Sequence, residues 1–156
     1  MTVDDILRLY IDGVEITDLP NSEFHDIPDV VNLPCTTRLI GIHGSNGPDG
    51  AVAGIVASTD DNYVLTNSSW KCSNVSYPGW AEVDFDDSAW ESALEFGNNG
   101  GNGWVHIPAI SSDAEWIWLR QYYSDWELMD SNVYCRKRLG KKNCIVHTSL
   151  AFSLSM

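Results

Sequence analysis

The sequence predicts an all-β fold of the sandwich class. Short apolar or alternating segments are separated by turn residues every ~8–12 positions, which is typical of β-sandwiches. No amphipathic helix longer than about two turns is evident. The chain has 156 residues, of which 44% are hydrophobic. This length and composition indicate one domain with a real core rather than a disordered chain.

Residues 7–17 predict a β-hairpin with Asp12-Gly13 as its two-residue turn, because Asp-Gly favours the tight turn that hairpins use. In this register apolar side chains share one face and polar ones the other, as a half-buried antiparallel pair requires. The predicted pairs are Ile11 with Val14 and Leu9 with Ile16 on the apolar face, and Tyr10 with Glu15 and Arg8 with Thr17 on the polar face.

The other strands are predicted from shorter signals. Residues 18–35 contain three prolines, which remove backbone donors, so this segment predicts a loop with one short edge strand. Further strands are predicted at 38–43, 51–58, 62–65, 115–119 and 132–137. The second of these is nearly all apolar, which indicates a strand buried on both faces.

Three tryptophans, Trp70, Trp80 and Trp90, recur at ten-residue intervals. We expect them to be core rings, because large apolar rings are mostly buried. A stacking platform for sugars is the alternative interpretation of the same rings.

One short helical turn is predicted at residues 89–94. Asp87 or Ser88 is the candidate N-cap, and Glu91, three residues after Ser88, completes a capping box.

Five segments resemble one family of secreted modules: LYIDGVEI, NYVLTNSSWKC, FDDSAWESALEFGNNGG, AEWIW and NVYCRK. They are similar to galactose-binding-domain-like β-sandwich modules, which occur beside glycoside hydrolases such as rhamnosidases and as repeats in secreted invertebrate proteins. The resemblance implies a jelly-roll sandwich over residues 4–137. It is specific for the fold and much less so for a ligand.

The segment 138–156 has a different character, since it is basic and then small and apolar. In the related modules the domain ends near the VYCRK strand, so we expect this tail to lie outside the module. A linker, an error of the gene model and a last strand peculiar to this protein remain open as interpretations.

The resemblance also implies a disulfide between Cys72 and Cys135, because WKC and VYC recur together in these modules. Both cysteines lie in or beside predicted strands, and Cys35 and Cys144 are left without an assigned pairing. None of the four forms a CxxC pair.

Two N-glycosylation sequons begin at Asn67 and Asn74. With the resemblance they favour an oxidising, extracellular setting. No signal peptide is visible, so we expect the chain to be a fragment of a larger secreted protein. No apolar run reaches the ~18 residues of a membrane span.

The charge is strongly uneven. All 22 acidic residues precede residue 131, where only four basic residues occur, so that part carries 4 − 22 = −18. This argues against a nucleic-acid partner, which requires Lys and Arg on phosphates. Asp84, Asp86 and Asp87 are candidate oxygen ligands for calcium, although the loop lacks the glycine and distal glutamate of an EF-hand. No other cofactor is expected.

A catalytic role is not expected. The four histidines, His25, His43, His106 and His147, are scattered, and no GxSxG motif is present. With so many acids, a suitable carboxylate pair can always be found, so the sequence does not support a glycosidase site.

A sugar site is predicted on the loop 97–104. Trp104 offers a ring for the apolar face of a sugar, and neighbouring amides offer hydrogen bonds to hydroxyls. The candidate ligand-binding residues are Trp104, Asn98, Asn99 and Asn102, with Asn46 and Asp49 on the loop opposite. The alternative is that Trp104 packs back onto the sheet.

The sequence therefore predicts a non-catalytic, extracellular carbohydrate-recognition or adhesion module, with a glycan or a matrix component as its partner. Two alternatives remain. One is an acidic structural or matrix module associated with calcium, and the other is an accessory domain of a glycoside hydrolase.

Overall fold

The computed structural model describes residues 5–20, 27–46, 53–119, 132–140 and 148–155. These residues form strands, turns and loops, with no helix among them. The strands are β1 (Asp5–Ile11), β2 (Val14–Ile16), β3 (Asp29–Leu33), β4 (Leu39–Asn46), β5 (Gly54–Thr59), β6 (Lys71–Ser73), β7 (Glu91–Ser92), β8 (Leu94–Asn98), β9 (Glu115–Trp118), β10 (Asn132–Arg138) and β11 (Thr148–Ser155).

The strands form two antiparallel sheets. One sheet has the order β2-β1-β4-β10-β6-β7, and the other has the order β3-β11-β5-β9-β8. The main core takes aliphatic and aromatic side chains from both sheets, including Leu9, Ile42, Val133, Ile55 and Phe152. The all-β prediction is confirmed, and the two packed sheets are a β-sandwich.

The predicted hairpin is confirmed in its register. Leu9 pairs with Ile16 and Ile11 with Val14 across β1 and β2. Asp12 and Gly13 both have positive φ, 49° and 87°, which is the requirement of a type I′ turn. The Asp12 carboxylate also accepts the backbone N–H groups of residues 38 and 39, at 2.9 and 2.8 Å. The turn is thereby fixed to the start of β4.

The nearly all-apolar strand β5 is buried along its whole length, as predicted. By contrast, the strand predicted at 62–65 is reduced to one bridge between Ser58 and Leu65. The intervening residues make a tight turn, in which Asn62 has φ 56° and Thr59 exchanges hydrogen bonds with Val64. A turn this close to β5 leaves no length for a second strand.

The prediction of a helical turn at 89–94 is wrong. A single turn closes by a 3.0 Å hydrogen bond from Trp90 N to Asp87 O. The chain then extends as β7, whose residues pair with Cys72 and Lys71 of β6. Ladder pairing with β6 satisfies the backbone groups that a helix would have satisfied internally, so tertiary contacts override the local capping signal.

The prediction that the segment 138–156 lies outside the module is also wrong for most of its described residues. β11 lies between β3 and β5 and pairs with both. Leu150 and Phe152 point into the main core, while Ala151 is buried on the opposite face. The tail therefore supplies a last strand inside a sheet, and its alternation of side chains is what a buried strand requires.

Loops cover parts of the outer faces of both sheets. Residues 74–90 pack on the six-stranded sheet, where Trp80, Ala81 and Trp90 form a separate cluster with Tyr10 and Tyr134. Residues 99–114 pack on the five-stranded sheet, where Ile107 and Ile110 contact the cluster around Trp116. Each face thus has its own aromatic layer outside the main core.

Candidate functional site

The predicted sugar loop, 97–104, packs against the five-stranded sheet. The Trp104 ring stacks on Trp116 with centroids 4.8 Å apart and planes inclined by 13°. It also lies over Gly54, where an added Cβ would come within 2.9 Å of the indole. Trp104 therefore packs back onto the sheet, which is the alternative that the sequence left open.

The amides of this loop bind its own backbone. The buried Asn99 side chain donates to Ile107 O and Ile110 O and accepts from Ile107 N, at 2.8 to 2.9 Å. Asn98 donates to Ser112 O, and Asn102 donates to Phe96 O. The buried Asn99 thereby holds the 99–114 loop closed, whereas Asn98 and Asn102 remain exposed. Sugar binding at the loop 97–104 stays a prediction.

Two further residues, Asn46 and Asp49, were predicted to lie opposite this loop. Asn46 is buried at the end of β4, in the opposite sheet. Asp49 lies outside the described residues.

The aspartates of the acidic run 84–87 have different surroundings and do not form one cluster. Asp87 pairs with Arg136 and lies 3.4 Å from Arg138 Nε. Asp86 accepts the backbone N–H of Ser88 at 3.0 Å, and Asp84 is exposed. Within the described ranges no group of three or more His, Cys, Asp or Glu side chains is placed to hold a metal ion. Calcium binding at this run stays a prediction.

An open cleft of about 390 Å³ lies between the β6–β7 ladder and the loop 74–90. Its lining combines three aromatic rings and several aliphatic side chains with two carboxylates, a hydroxyl and an amide. Its described lining residues are Cys72, Ser73, Asn74, Val75, Tyr77, Phe85, Asp86, Ala89, Trp90, Glu91 and Leu119. The cleft combines an exposed ring with hydrogen-bonding groups, which is the chemistry that the loop 97–104 was predicted to supply.

Tyr77 is the exposed ring of the cleft. Its side chain is 43% exposed, whereas Trp90 is only 7% exposed. The two rings are 6.2 Å apart, and Phe85 lies at the same distance from Tyr77. Trp90 and Phe85 therefore support Tyr77 from behind, and Tyr77 presents the surface that a ligand would meet.

A proline and a glycine in sequence set the orientation of Tyr77. Pro78 and Gly79 occupy the centre of a turn closed by Trp80 N donating to Tyr77 O at 3.1 Å. Gly79 has φ 74°, and proline followed by a residue of positive φ is the signature of a type II turn. The chain reverses there, so that Trp80 is buried against the sheet while Tyr77 remains outside.

Asp86 supplies a fixed negative charge on the rim of the cleft. The hydrogen bond from the Ser88 backbone lowers the pKa of Asp86 below its ordinary value, and the Ser88 side chain and nearby Arg138 act in the same direction. The carboxylate is thus ionised at neutral pH and held in one orientation.

Arg136 holds the wall of the cleft in place. Its side chain has no solvent exposure, and it pairs with Asp87. It also donates to the carbonyls of Glu82 and Phe85. The guanidinium carbon lies 5.1 Å from the Phe85 ring centroid and 5.9 Å from that of Trp90. Burial lowers the pKa of Arg136, and the Asp87 charge opposes this shift.

The sequence interpretation missed both Tyr77 and Arg136. Arg136 and Arg138 alternate with Cys135 and Lys137 along β10, so their side chains fall on the face opposite the main core. A pair of arginines on one face of a strand, in a part of the chain rich in acids, was the available signal for an ion-pair network.

The disulfide between Cys72 and Cys135 is confirmed, and it joins β6 to β10 beneath the cleft. Cys35 is also disulfide-bonded, and no described cysteine is free.

The two sequons have different surroundings. The Asn67 side-chain oxygen accepts from both the backbone and the hydroxyl of Ser69. Asn74 is exposed and lines the cleft. Glycosylation at either asparagine stays a prediction.

Comparison with known proteins finds a distant relationship to a glycosidase. The chain is 27% identical over 127 residues to an alpha-L-rhamnosidase from Streptomyces avermitilis. The alignment covers 73% of this chain and 12% of that enzyme, so this chain matches only a small part of the relative. No protein-family model and no solved structure matches the chain. Along the described segments, no helix is long and apolar enough to cross a membrane.

Proposed function

We propose that this chain is a non-catalytic carbohydrate-binding module of the type attached to glycoside hydrolases. The cleft at Tyr77 carries the proposal, because it places an exposed ring beside fixed hydrogen-bonding groups. The distant similarity to part of a rhamnosidase supports a setting among proteins that act on glycans. The finer assignment, a galactose-binding-like jelly roll, belongs to the same proposal.

The chemistry of the cleft suits a sugar. An exposed tyrosine ring covers the apolar C–H face of a pyranose, and carboxylates and amides accept or donate hydrogen bonds to its hydroxyls. Such sites bind weakly, because little apolar area is buried and polar groups lose water. We expect a dissociation constant on the order of 0.1–1 mM for a monosaccharide, or about 4–5.5 kcal/mol. Physiological binding then depends on repeated sites and avidity.

An extracellular location is part of the proposal. Disulfides persist in oxidising compartments, and here one of them fixes the floor of the cleft. We propose that the module belongs to a longer secreted protein whose other parts supply the catalysis.

A structural or matrix role is the second candidate. The buried Arg136 network and the disulfide stiffen the six-stranded sheet on both sides of β10. A rigid, acidic module of this kind would need no small ligand, and any calcium would bind the acidic surface.

A binding experiment separates the two candidates. The panel consists of the methyl glycosides of L-rhamnose, D-galactose and D-glucose, titrated against the labelled module and followed by chemical shifts. The proposal predicts saturable shifts at Tyr77, Trp90 and Asp86 for at least one sugar, with no hydrolysis of the corresponding nitrophenyl glycosides. A panel with no response at the cleft at tens of millimolar would leave the structural role as the better account.

A further inference from the structure

We infer that Asp86 is the specificity-determining residue of the cleft, and that it selects neutral sugars carrying two adjacent free hydroxyls. This inference rests on the proposed sugar-binding function and assigns the ligand class for that site. Tyr77 supplies the surface for the ring, and Asp86 fixes the orientation of the sugar on it.

Asp86 and Asp87 are neighbours in sequence, but their side chains lie on opposite sides of the loop. Asp87 turns inward to the buried Arg136. Asp86 lines the cleft, where its side chain is exposed. Because the Arg136 contacts fix Asp87 and the carbonyl of Phe85, the backbone on both sides of Asp86 is held. The position of the Asp86 carboxylate is therefore set before any ligand arrives.

The orientation of the Asp86 side chain is fixed as well. One carboxylate oxygen accepts the backbone N–H of Ser88 at 3.0 Å, which locks the side chain over its own turn. An ionised carboxylate has about four acceptor positions on its two oxygens, so the backbone and side-chain hydrogen bonds of Ser88 still leave positions for a ligand. Preorganisation of this kind reduces the entropy lost on binding.

The chemistry of the group defines the ligand. A carboxylate only accepts hydrogen bonds, so its partners must be donors, and two adjacent hydroxyls match its two oxygens. A sugar acid would bring a second negative charge toward Asp86 in a chain whose net charge is −13, which disfavours it. The site therefore suits a neutral pyranoside with a free vicinal diol.

The protein-side test compares Asp86→Asn with Asp113→Asn. Asparagine keeps an oxygen for the Ser88 turn but removes the charge and one acceptor. Asp113 is also exposed, and it lies in the 99–114 loop on the other sheet, so its variant changes the net charge equally. We expect Asp86→Asn to weaken binding of the best panel sugar about ten-fold, or about 1.4 kcal/mol. Asp113→Asn should bind within about two-fold of the parent.

The ligand-side test leaves the protein unchanged. The 2-deoxy and 3-deoxy analogues of the panel glycosides are titrated in the same way. Loss of one hydroxyl of the recognised pair should weaken binding about ten-fold in the parent, and much less in Asp86→Asn.

The two failures are distinguishable. A sugar that binds the parent and Asp86→Asn equally, or whose deoxy analogues all bind as well as the sugar itself, overturns the role of Asp86 and leaves the sugar-binding function standing. A module that binds no panel sugar overturns both.

Discussion

Arg136 and Asp87 form a buried ion pair between strand β10 and the loop that walls the cleft. The arginine side chain has no solvent exposure, and the aspartate side chain is only 15% exposed. Because the two residues are 49 positions apart in sequence, the pair ties the loop to a strand folded from a distant part of the chain. The loop geometry that positions Phe85 and Asp86 thus depends on a charge that is not itself in the cleft.

Arg136→Ala should destabilise the protein by about 3 kcal/mol, since it removes the buried partner of Asp87 and of the Glu82 carbonyl and leaves Asp87 only the half-exposed Arg138. Arg8→Ala is the matched control. Its ion pair with Glu15 spans 3.8 Å with side chains 51% and 40% exposed. An exposed pair of this type contributes less than about 1 kcal/mol. Urea denaturation measures the free energy of unfolding of both variants. Equal losses of stability in the two would show that Arg136 does not hold the loop in place.

Trp70→Ala should cost about 3–5 kcal/mol, enough to unfold a marginal domain. The ring has no solvent exposure, belongs to the main core and donates its indole N–H to Leu65 O at 2.9 Å. Tyr77→Ala is the control for loss of a large ring at an exposed position. A Trp70→Ala protein that melts within a few degrees of the parent would contradict this burial.

Removal of the disulfide, by replacing Cys72 and Cys135 together with alanine, should lower the free energy of unfolding by about 2–4 kcal/mol. The bridge spans 63 positions and restrains the unfolded chain. Non-reducing peptide mapping tests the pairing itself. A free thiol at either residue in folded, oxidised protein would refute it.

His43 should make the protein less stable as pH falls. Burial lowers the pKa of His43 below its ordinary value of 6.5, with the positive charge of Arg8 acting in the same direction and the Asn132 hydrogen bond opposing both. Below pH 6.5 the unfolded chain therefore binds a proton at this residue that the folded chain resists, and folding stability is lost in that window. His43 stacks on Tyr134 at 4.4 Å, so the charged ring would lie in a partly buried stack.

Denaturation at several pH values checks this expectation for the parent, His43→Gln and His106→Gln. The loss of stability between about pH 7 and about pH 5 should shrink in His43→Gln. It should persist in His106→Gln, because His106 is exposed. Identical pH profiles for all three proteins would rule out His43 as the source.

The fold could be predicted from the sequence where the contacts that determine it are local. The Asp12-Gly13 turn fixes the register of its hairpin through its own backbone angles. The helix at 89–94 was mispredicted because the competing partner, β6, is some twenty residues away in sequence, as the pairing of Cys72 with Glu91 shows. The internal position of β11 in its sheet likewise depends on pairing with strands far earlier in the chain.

The candidate site could not be found from sequence because it depends on contacts between distant segments. Trp104 and its amides form a compact sequence signal, yet the ring stacks on Trp116 and the amides bind backbone. Tyr77 carries no comparable signal. It becomes a candidate only when Trp90 and Phe85 pack behind it.

The measurement that most directly tests the account is sugar affinity in three proteins: the parent, Tyr77→Ala and Tyr63→Ala. Tyr63 is also an exposed tyrosine, but it lies outside the cleft, where its hydroxyl donates to Gly140 O at 2.8 Å. We predict that Tyr77→Ala stays folded and weakens binding of the best panel sugar by about ten-fold or more, while Tyr63→Ala binds within about two-fold of the parent. Sugar binding by Tyr77→Ala as tight as that of the parent would contradict the assignment of the cleft as the binding site.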